Sequence, residues 1–174
     1  DAQNVHLARI PGINNYAQVE GIVNFSGTIA GTYQQPLFDG VLSSDNVIIN
    51  GEGFTGIACA LESQGGTVNK INGTFQQTAG GDYAVNLLMD FSQHMLQGDI
   101  DVQKGNVKSL LKIAKEDLDI SGLLTGHIAL NKGGNNSGIT IKGNIDQANV
   151  RGIGFNTAEF DVFSNRGYWK INNL

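Results

Sequence analysis

The stretch Leu96-Gln97-Gly98-Asp99-Ile100-Asp101-Val102-Gln103 decides the fold class, because apolar residues or Gly alternate strictly with polar residues. A period of two is typical of a β-strand with one dry face and one wet face. The preceding stretch, residues 83–91, alternates in the same way with apolar residues at its odd positions. Ser92-Gln93-His94 supplies a short polar link, so the two stretches are predicted to form a hairpin.

The same alternation recurs along the rest of the chain. It is clean over 118–130 and 139–146, and Gly-rich pairs such as Asn50-Gly51 and Gly65-Gly66 separate the strand candidates. Weaker strand signals lie near 5–10, 21–32, 38–50, 53–62, 67–76, 154–163 and 167–172. The pattern predicts an all-β protein of about ten to twelve strands in a long antiparallel, meandering sheet.

One segment, about 106–116, departs from the period of two. Val107, Leu110, Leu111 and Ala114 follow the spacing of one helical face. Asn106 is the predicted N-cap, so the segment is interpreted as a short amphipathic helix. The lysines around it are predicted to form the opposite face, which is either solvated or in contact with anionic lipid heads: Lys104, Lys108, Lys112 and Lys115.

Composition excludes several classes of function. The net charge is −5 and the 11 basic residues are scattered, whereas nucleic-acid binding needs a basic patch. A single cysteine, Cys59, excludes a disulfide scaffold. The chain has no nucleophile elbow, phosphate-binding loop or metal-ligand spacing, and it is interpreted as a non-enzymatic protein without a cofactor.

An internal repeat organises the sequence into two predicted units. Residues 23–31 align with 118–126, and Gly51-Glu52-Gly53-Phe54 aligns with Gly152-Ile153-Gly154-Phe155. The simplest interpretation is two copies of one multi-strand unit, about 20–104 and 117–174, joined by the helix near 106–116.

Several short motifs together resemble the AsmA-like superfamily, and most closely its TamB members. They are Phe25-Ser26-Gly27-Thr28-Ile29-Ala30-Gly31-Thr32, the Pro-containing stretch 35–42, Asn46-Val47 and Asp117-Leu118-Asp119-Ile120-Ser121-Gly122. The helical insert before the last motif also looks like the joins between TamB repeats. The chain would be a middle or C-terminal repeat fragment of such a protein.

The resemblance implies one continuous sheet over 1–174, curled into an open, taco-like groove with an apolar interior. It implies a periplasmic location, with the parent protein anchored in the inner membrane. The implied ligands are phospholipid acyl chains, carried between the inner and outer membranes. The implied protein partner, met through parts outside this chain, is an outer-membrane barrel protein of the BamA or TamA type, and the parent would transport lipid or support outer-membrane assembly.

The dry positions of the strands are the candidate lipid-contacting residues. They are Val85, Leu87, Met89, Phe91, Leu96, Ile100, Val102, Ile120, Leu124, Ile128, Ile139, Ile141 and Ile145. The alternative is that they fill an ordinary closed sandwich or barrel core. A second alternative for function is a structural or adhesive β-solenoid stalk with a sealed core, although solenoids repeat every ~20 to 30 residues. A third, a carbohydrate-active enzyme, lacks a convincing pair of acids.

Overall fold

The computed structural model describes residues 1–9, 18–32, 34–114, 117–133, 137–165 and 168–173, and it is all-β with one short α-helix. The alternating stretches form strands and the segment with helical spacing forms a helix, as the two periods require. The elements are β1 (Ala2–His6), a 3-10 turn (Leu7–Arg9), β2 (Val19–Gly31), β3 (Pro36–Ile49), β4 (Glu52–Ser63), β5 (Val68–Gln77), β6 (Asp82–Asp90), β7 (Met95–Asn106), α1 (Val107–Ala114), β8 (Ile120–Lys132), β9 (Gly138–Val150), β10 (Ile153–Asn165) and β11 (Tyr168–Asn173).

All eleven strands belong to one antiparallel sheet in which each strand pairs with its neighbours in the chain. The sheet curls into a groove and does not close, because β1 and β11 are its two edges among the described residues. The predicted fold class is therefore confirmed, and the predicted hairpin of 83–91 and 96–103 is the pair β6 and β7. The weak strand signal near 5–10 is wrong for Leu7–Arg9, which form a 3-10 turn.

Paired glycines allow neighbouring strands to approach closely inside the groove. Gly27 of β2 faces Gly40 of β3, and Gly126 of β8 faces Gly143 of β9. A Cβ on Gly27 would lie 2.6 Å from the Cα of Gly40, and one on Gly126 would lie 2.9 Å from the Cα of Gly143. Any side chain at these positions would force the strands apart, and glycines inside strands mark such close approaches and bends.

Helix α1 connects β7 to β8, and these two strands remain paired with each other. Val102 of β7 pairs with Gly126 of β8, and Asn106 pairs with Leu123 at the strand ends. The Asn106 side-chain oxygen accepts a 3.1 Å hydrogen bond from the Ser109 N–H, which confirms the predicted N-cap. The predicted helix 106–116 is shorter in the structure, and residues 115–116 lie outside the described residues.

We call the strand ends joined by α1 and by the turns at 50–51, 78–81 and 151–152 the helix side, and the opposite ends, joined by loops such as 64–67 and 91–94, the far side. Two buried apolar clusters form the core, and both lie toward the helix side. The first contains Tyr83, Val102, Val107 and Leu124. The second contains Val19, Val23 and Val47. The first cluster includes Val107 of α1, whereas the second is packed by Val5 of β1 and Leu7 of the 3-10 turn.

The repeated motifs occupy similar places only in part. The turns Asn50-Gly51 and Arg151-Gly152 have nearly the same φ angles, 49° and 80° against 52° and 83°. Gly40 and Gly143 each face a glycine of the preceding strand. Gly122, however, lies against Ile145 near the start of β8 and is not the counterpart of Gly27. The division into units 20–104 and 117–174 stays a prediction.

Candidate functional site

The dry residues of β6 to β9 line up across the strands on one face of the groove. Val85, Ile100, Ile128 and Ile141 stand opposite one another in successive strands. The next row toward the far side contains Leu87, Gly98, Leu130 and Ile139. Neighbouring strands lie about 4.8 Å apart, so each row forms an apolar band roughly 14 Å long across the four strands.

Most of the other predicted residues extend this surface. Met89 faces Leu96 in a further row toward the far side. Leu124 faces Ile145 toward the helix side, where Val102 belongs to the buried cluster.

Two predicted residues, Ile120 and Phe91, lie at the edges of this apolar face. Ile120 packs against the first cluster from the beginning of β8. Phe91 is not in a strand, because β6 ends at Asp90 and Phe91 begins the turn that follows. Its N–H donates a 3.2 Å hydrogen bond to the Thr67 carbonyl oxygen. The strand prediction was one residue too long there, since the side chain of Asp90 accepts hydrogen bonds from the Ser92 and Gln93 N–H groups and closes the turn.

The predicted residues differ in how far they are buried. Val102 is 0% exposed and Leu124 is 5% exposed, whereas Ile139 is 38% exposed. The others are half-buried: Val85, Leu87, Met89, Phe91, Leu96, Ile100, Ile120, Ile128, Ile141 and Ile145. The whole chain has an accessible surface of 10675 Å². A compact protein of this mass would expose about 8,200 Å², so the sheet is more open to solvent than a compact fold.

Three aromatic side chains pack against one another at the helix side of the groove. The rings of Phe75 and Tyr83 stack with their centroids 4.9 Å apart, and Phe54 meets Phe75 edge-on at 5.5 Å. The Tyr83 hydroxyl donates a 2.8 Å hydrogen bond to the Gln77 side-chain oxygen. Burial raises the pKa of Tyr83 to about 12, so the hydroxyl remains a donor at neutral pH.

The C-terminal end of α1 is fastened to the turn between β3 and β4. Lys112 Nζ lies 2.8 Å from Glu52 Oε1, and the Asn50 side-chain amide donates a 2.8 Å hydrogen bond to the Ile113 carbonyl oxygen. The hydrogen bond from Lys112 lowers the pKa of Glu52. The helix therefore covers the groove from β7 and β8 as far as β4.

The predicted lysine face of the helix is wrong for Lys104, whereas Lys108 and Lys112 are exposed on the helix as predicted. Lys104 lies in β7 with a φ of 55°, and Lys112 is engaged with Glu52. Lys108 is exposed on the helix. Lys115 lies outside the described residues. Among the described residues, the exposed lysines of the helix are thus Lys108 and Lys112, and contact with lipid heads stays a prediction.

The outer face of the sheet is polar and carries an ion cluster that sequence reasoning missed. His127 of β8 lies between two carboxylates of β7, with Nε2 2.9 Å from Asp99 and Nδ1 2.9 Å from Asp101. The hydrogen bond with Asp101, together with the charges of both aspartates, raises the pKa of His127. The alternation placed both aspartates on the wet face, but only the strand register could reveal their partner.

Cys59 lies half-buried in β4, and burial raises the pKa of its thiol, which keeps it protonated at neutral pH. Within the ranges that the structure describes, no three His, Cys, Asp or Glu side chains are grouped so that they could hold a metal ion. In the same ranges, every helix is too short or too polar to cross a bilayer.

Comparisons with protein-family models, curated proteins and solved structures find no match to this chain.

Proposed function

We propose that the chain is a non-enzymatic segment of a TamB-like, periplasm-spanning protein, and that its groove shields phospholipid acyl chains during transport between the inner and outer membranes. The observation that carries the proposal is the set of apolar rows across β6 to β9, half-buried and in register. Over β6 to β9, the described part of the chain places no matching layer of protein on the far side of this apolar face, and such a face is suited to a flexible apolar ligand.

The energetics favour an acyl chain as that ligand. Each methylene moved out of water is worth roughly 0.8 kcal/mol, so a dozen of them contribute on the order of 10 kcal/mol before the costs of ordering. This gain needs no specific polar contact. The residues that face the groove in β6 and β7 beyond the buried cluster, from Val85 to Met89 and from Leu96 to Ile100, provide such a surface over about 14 Å of strand.

The periplasmic setting, the inner-membrane anchor of the parent protein and an outer-membrane barrel partner rest on the resemblance to TamB proteins. They complete the proposal because an open apolar groove needs a supply of lipid at one end and an acceptor membrane at the other. Support of outer-membrane assembly is the second activity that the resemblance suggests.

Site-specific photo-crosslinking tests the proposal directly. A photo-reactive residue at Leu87 or Ile100 is expected to capture phospholipid from bacterial membranes, and native mass spectrometry is expected to detect the same lipid on the purified chain. Asn86 is the matched control position, because it neighbours Leu87 in β6 and is exposed on the outer face. Equal lipid capture at Asn86 and Leu87, or a folded chain that captures none, would refute the proposal.

A further inference from the structure

The outer face of the sheet carries a depression that crosses β7, β8, β9 and β10. Its cavity volume is about 310 Å³. Sites for small molecules have volumes of about 300 to 1,000 Å³, so the depression is large enough for a ligand of about one or two rings. The residues that line it from the outer face are Gln97, Asp99, Ala129, Asn131, Thr140 and Phe163.

Small residues in the middle of the strands create the depression. Ala129 of β8 stands between Asp99 of β7 and Thr140 of β9. Asn131 of β8 stands opposite Gly138 of β9. Neighbouring strands lie about 4.8 Å apart, so a methyl group and a glycine leave a floor between the longer side chains around them.

Phe163 forms an apolar wall of the depression. It pairs with Thr140 of β9 on one side and with Lys170 of β11 on the other, so the depression lies inside the sheet and not at its edge. Phe163 is half-buried. An aromatic ring on an otherwise polar face offers a flat apolar surface on which the C–H groups of a ligand can pack.

Polar side chains with planar end groups line the opposite part of the depression. Gln97 of β7 stands opposite Asn131 of β8, and both side chains are exposed. The carboxylate of Asp99 is held by His127, whose Nε2 lies 2.9 Å from Asp99 Oδ1. An amide both donates and accepts hydrogen bonds, and a carboxylate accepts them. Together they suit a ligand with several neighbouring hydroxyl groups, each of which is a donor and an acceptor.

The charges around the depression favour a neutral ligand. Asp99 and Asp101 share His127, and Lys142 Nζ lies 3.0 Å from Asp161 Oδ2. The charged groups are thus paired with one another. An anionic ligand would meet the Asp99 carboxylate, and a cationic ligand would have to displace His127 from it.

We propose that this depression binds a neutral saccharide, whose hydroxyl groups bond to Gln97, Asp99 and Asn131 and whose C–H face packs on Phe163. A sugar ring combines an apolar C–H face with closely spaced hydroxyl groups, which are the two features that the depression matches. The site binds without cleaving, because Asp99 and Asp101 are both engaged by His127. It lies on the outer face and is independent of lipid binding in the groove.

Titration with neutral trisaccharides, followed by amide chemical shifts in NMR, tests the proposal on the whole 174-residue chain. The probes are cellotriose, maltotriose and triacetylchitotriose. We expect at least one of them to bind with a Kd of about 1 mM, because an open site of this size gains little per ligand atom. The expected shifts fall on the amides of residues 97–99, 129–131, 138–140 and 163.

Two variants identify the groups that hold the sugar. Phe163→Ala is expected to weaken binding about tenfold, because the apolar wall is lost. Asn131→Leu keeps the size of the side chain and removes its amide, and it is expected to weaken binding about fivefold. Asn131 is exposed, so this variant tests the site even where the loss of Phe163 disturbs the fold.

Leu88→Ala is the matched control, because Leu88 is 36% exposed on the outer face but lies outside the depression. Equal weakening by Leu88→Ala and Asn131→Leu would overturn the proposal, as would unchanged affinity in Asn131→Leu. The absence of shifts with all three sugars at about ten times the expected Kd would also overturn it. Glycerophosphocholine that shifts the same amides when the sugars do not would overturn it in favour of a lipid headgroup.

Discussion

The helix side and the far side of the groove are built from the same strands, yet they differ in burial. On the helix side Tyr83 is 4% exposed and Val102 is 0% exposed. Toward the far side, Leu87, Met89 and Leu96 are half-buried on the same strands and the same face, and Ile139 is 38% exposed. The strand pattern is identical at both ends, so it does not account for the difference.

Helix α1 accounts for it. Val107 belongs to the buried cluster with Tyr83 and Val102, and Leu110 and Leu111 pack against that cluster. The helix supplies the second layer that a sheet face needs to become a core. Where the helix does not reach, the same apolar face stays accessible and available to a ligand.

The largest expected effect is a loss of stability caused by a substitution on the helix side. Val102→Asp places an unpaired carboxylate at a fully buried position, and we expect it to lower the free energy of unfolding by roughly 5 kcal/mol or more. Circular dichroism during thermal unfolding measures the loss. Leu87→Asp on the far side is expected to leave a folded chain, because its carboxylate reaches water. A stable Val102→Asp variant would contradict the division into a core and an open surface.

Phe54 and Phe155 each follow a two-residue turn of the same backbone geometry, and their variants test how well each ring is covered. Phe54→Ala removes a buried ring and is expected to cost about 4 kcal/mol of stability, whereas Phe155→Ala is expected to cost about 1 kcal/mol or less. Chemical denaturation of the two variants gives both values. Equal losses would mean that Phe155 is covered in solution.

Lipid retention separates the two faces of one strand. Leu87 and Leu88 are neighbours in β6, but Leu88 is 36% exposed on the outer face. Leu87→Asp is expected to reduce retained phospholipid roughly tenfold, because about two methylene contacts are lost, while Leu88→Asp leaves it unchanged. Quantitative lipid extraction measures the phospholipid retained by each variant. Equal retention by the two variants would contradict lipid binding in the groove.

Removal of the N-cap of α1 is expected to speed hydrogen exchange on the helix side alone. Asn106→Ala removes the acceptor of the Ser109 N–H and is expected to cost about 1 kcal/mol. Hydrogen exchange should quicken in α1 and in the strand segments beneath it, with no change in the far-side half of β6 and β7. Faster exchange at both ends would contradict the separation of the two sides.

The smallest effect concerns pH and the outer face. Because the pKa of His127 is raised in the folded state, its ion pairs stabilise the protein fully below the unfolded pKa of about 6.5, and this contribution is lost as the pH rises through the folded pKa. The pair is exposed, so the loss is expected to stay below about 1 kcal/mol. His127→Gln should flatten the fall in unfolding free energy between mildly acidic and mildly alkaline pH, and an unchanged slope would contradict the assignment.

Sequence reasoning could identify the groove face because alternation fixes which residues share a face. It placed Val85, Leu87, Ile100 and Ile128 on one face, and the register sets Val85, Ile100 and Ile128 opposite one another with Leu87 in the next row. It also found the helix and its cap. It failed at Phe91, where hydrogen bonds of a turn end the strand, and at Lys104, which belongs to β7 because the strand continues to Asn106.

The ion cluster of His127 shows a different limit. Asp99 and Asp101 lie 26 to 28 positions before their histidine, and any of several registers would have satisfied the alternation. Register is set by the bulge between Val102 and Gly105 and by the excursion of α1, which local sequence does not specify.

The sequence by itself determined the strands, the helix and the two faces of the sheet, because side-chain direction follows directly from the periods of two and 3.6 residues. The tertiary structure alone decided which part of the apolar face is a core and which part stays open. That outcome depends on where α1 docks through Lys112 and Asn50. These are contacts between residues far apart in the chain, and no local period encodes them.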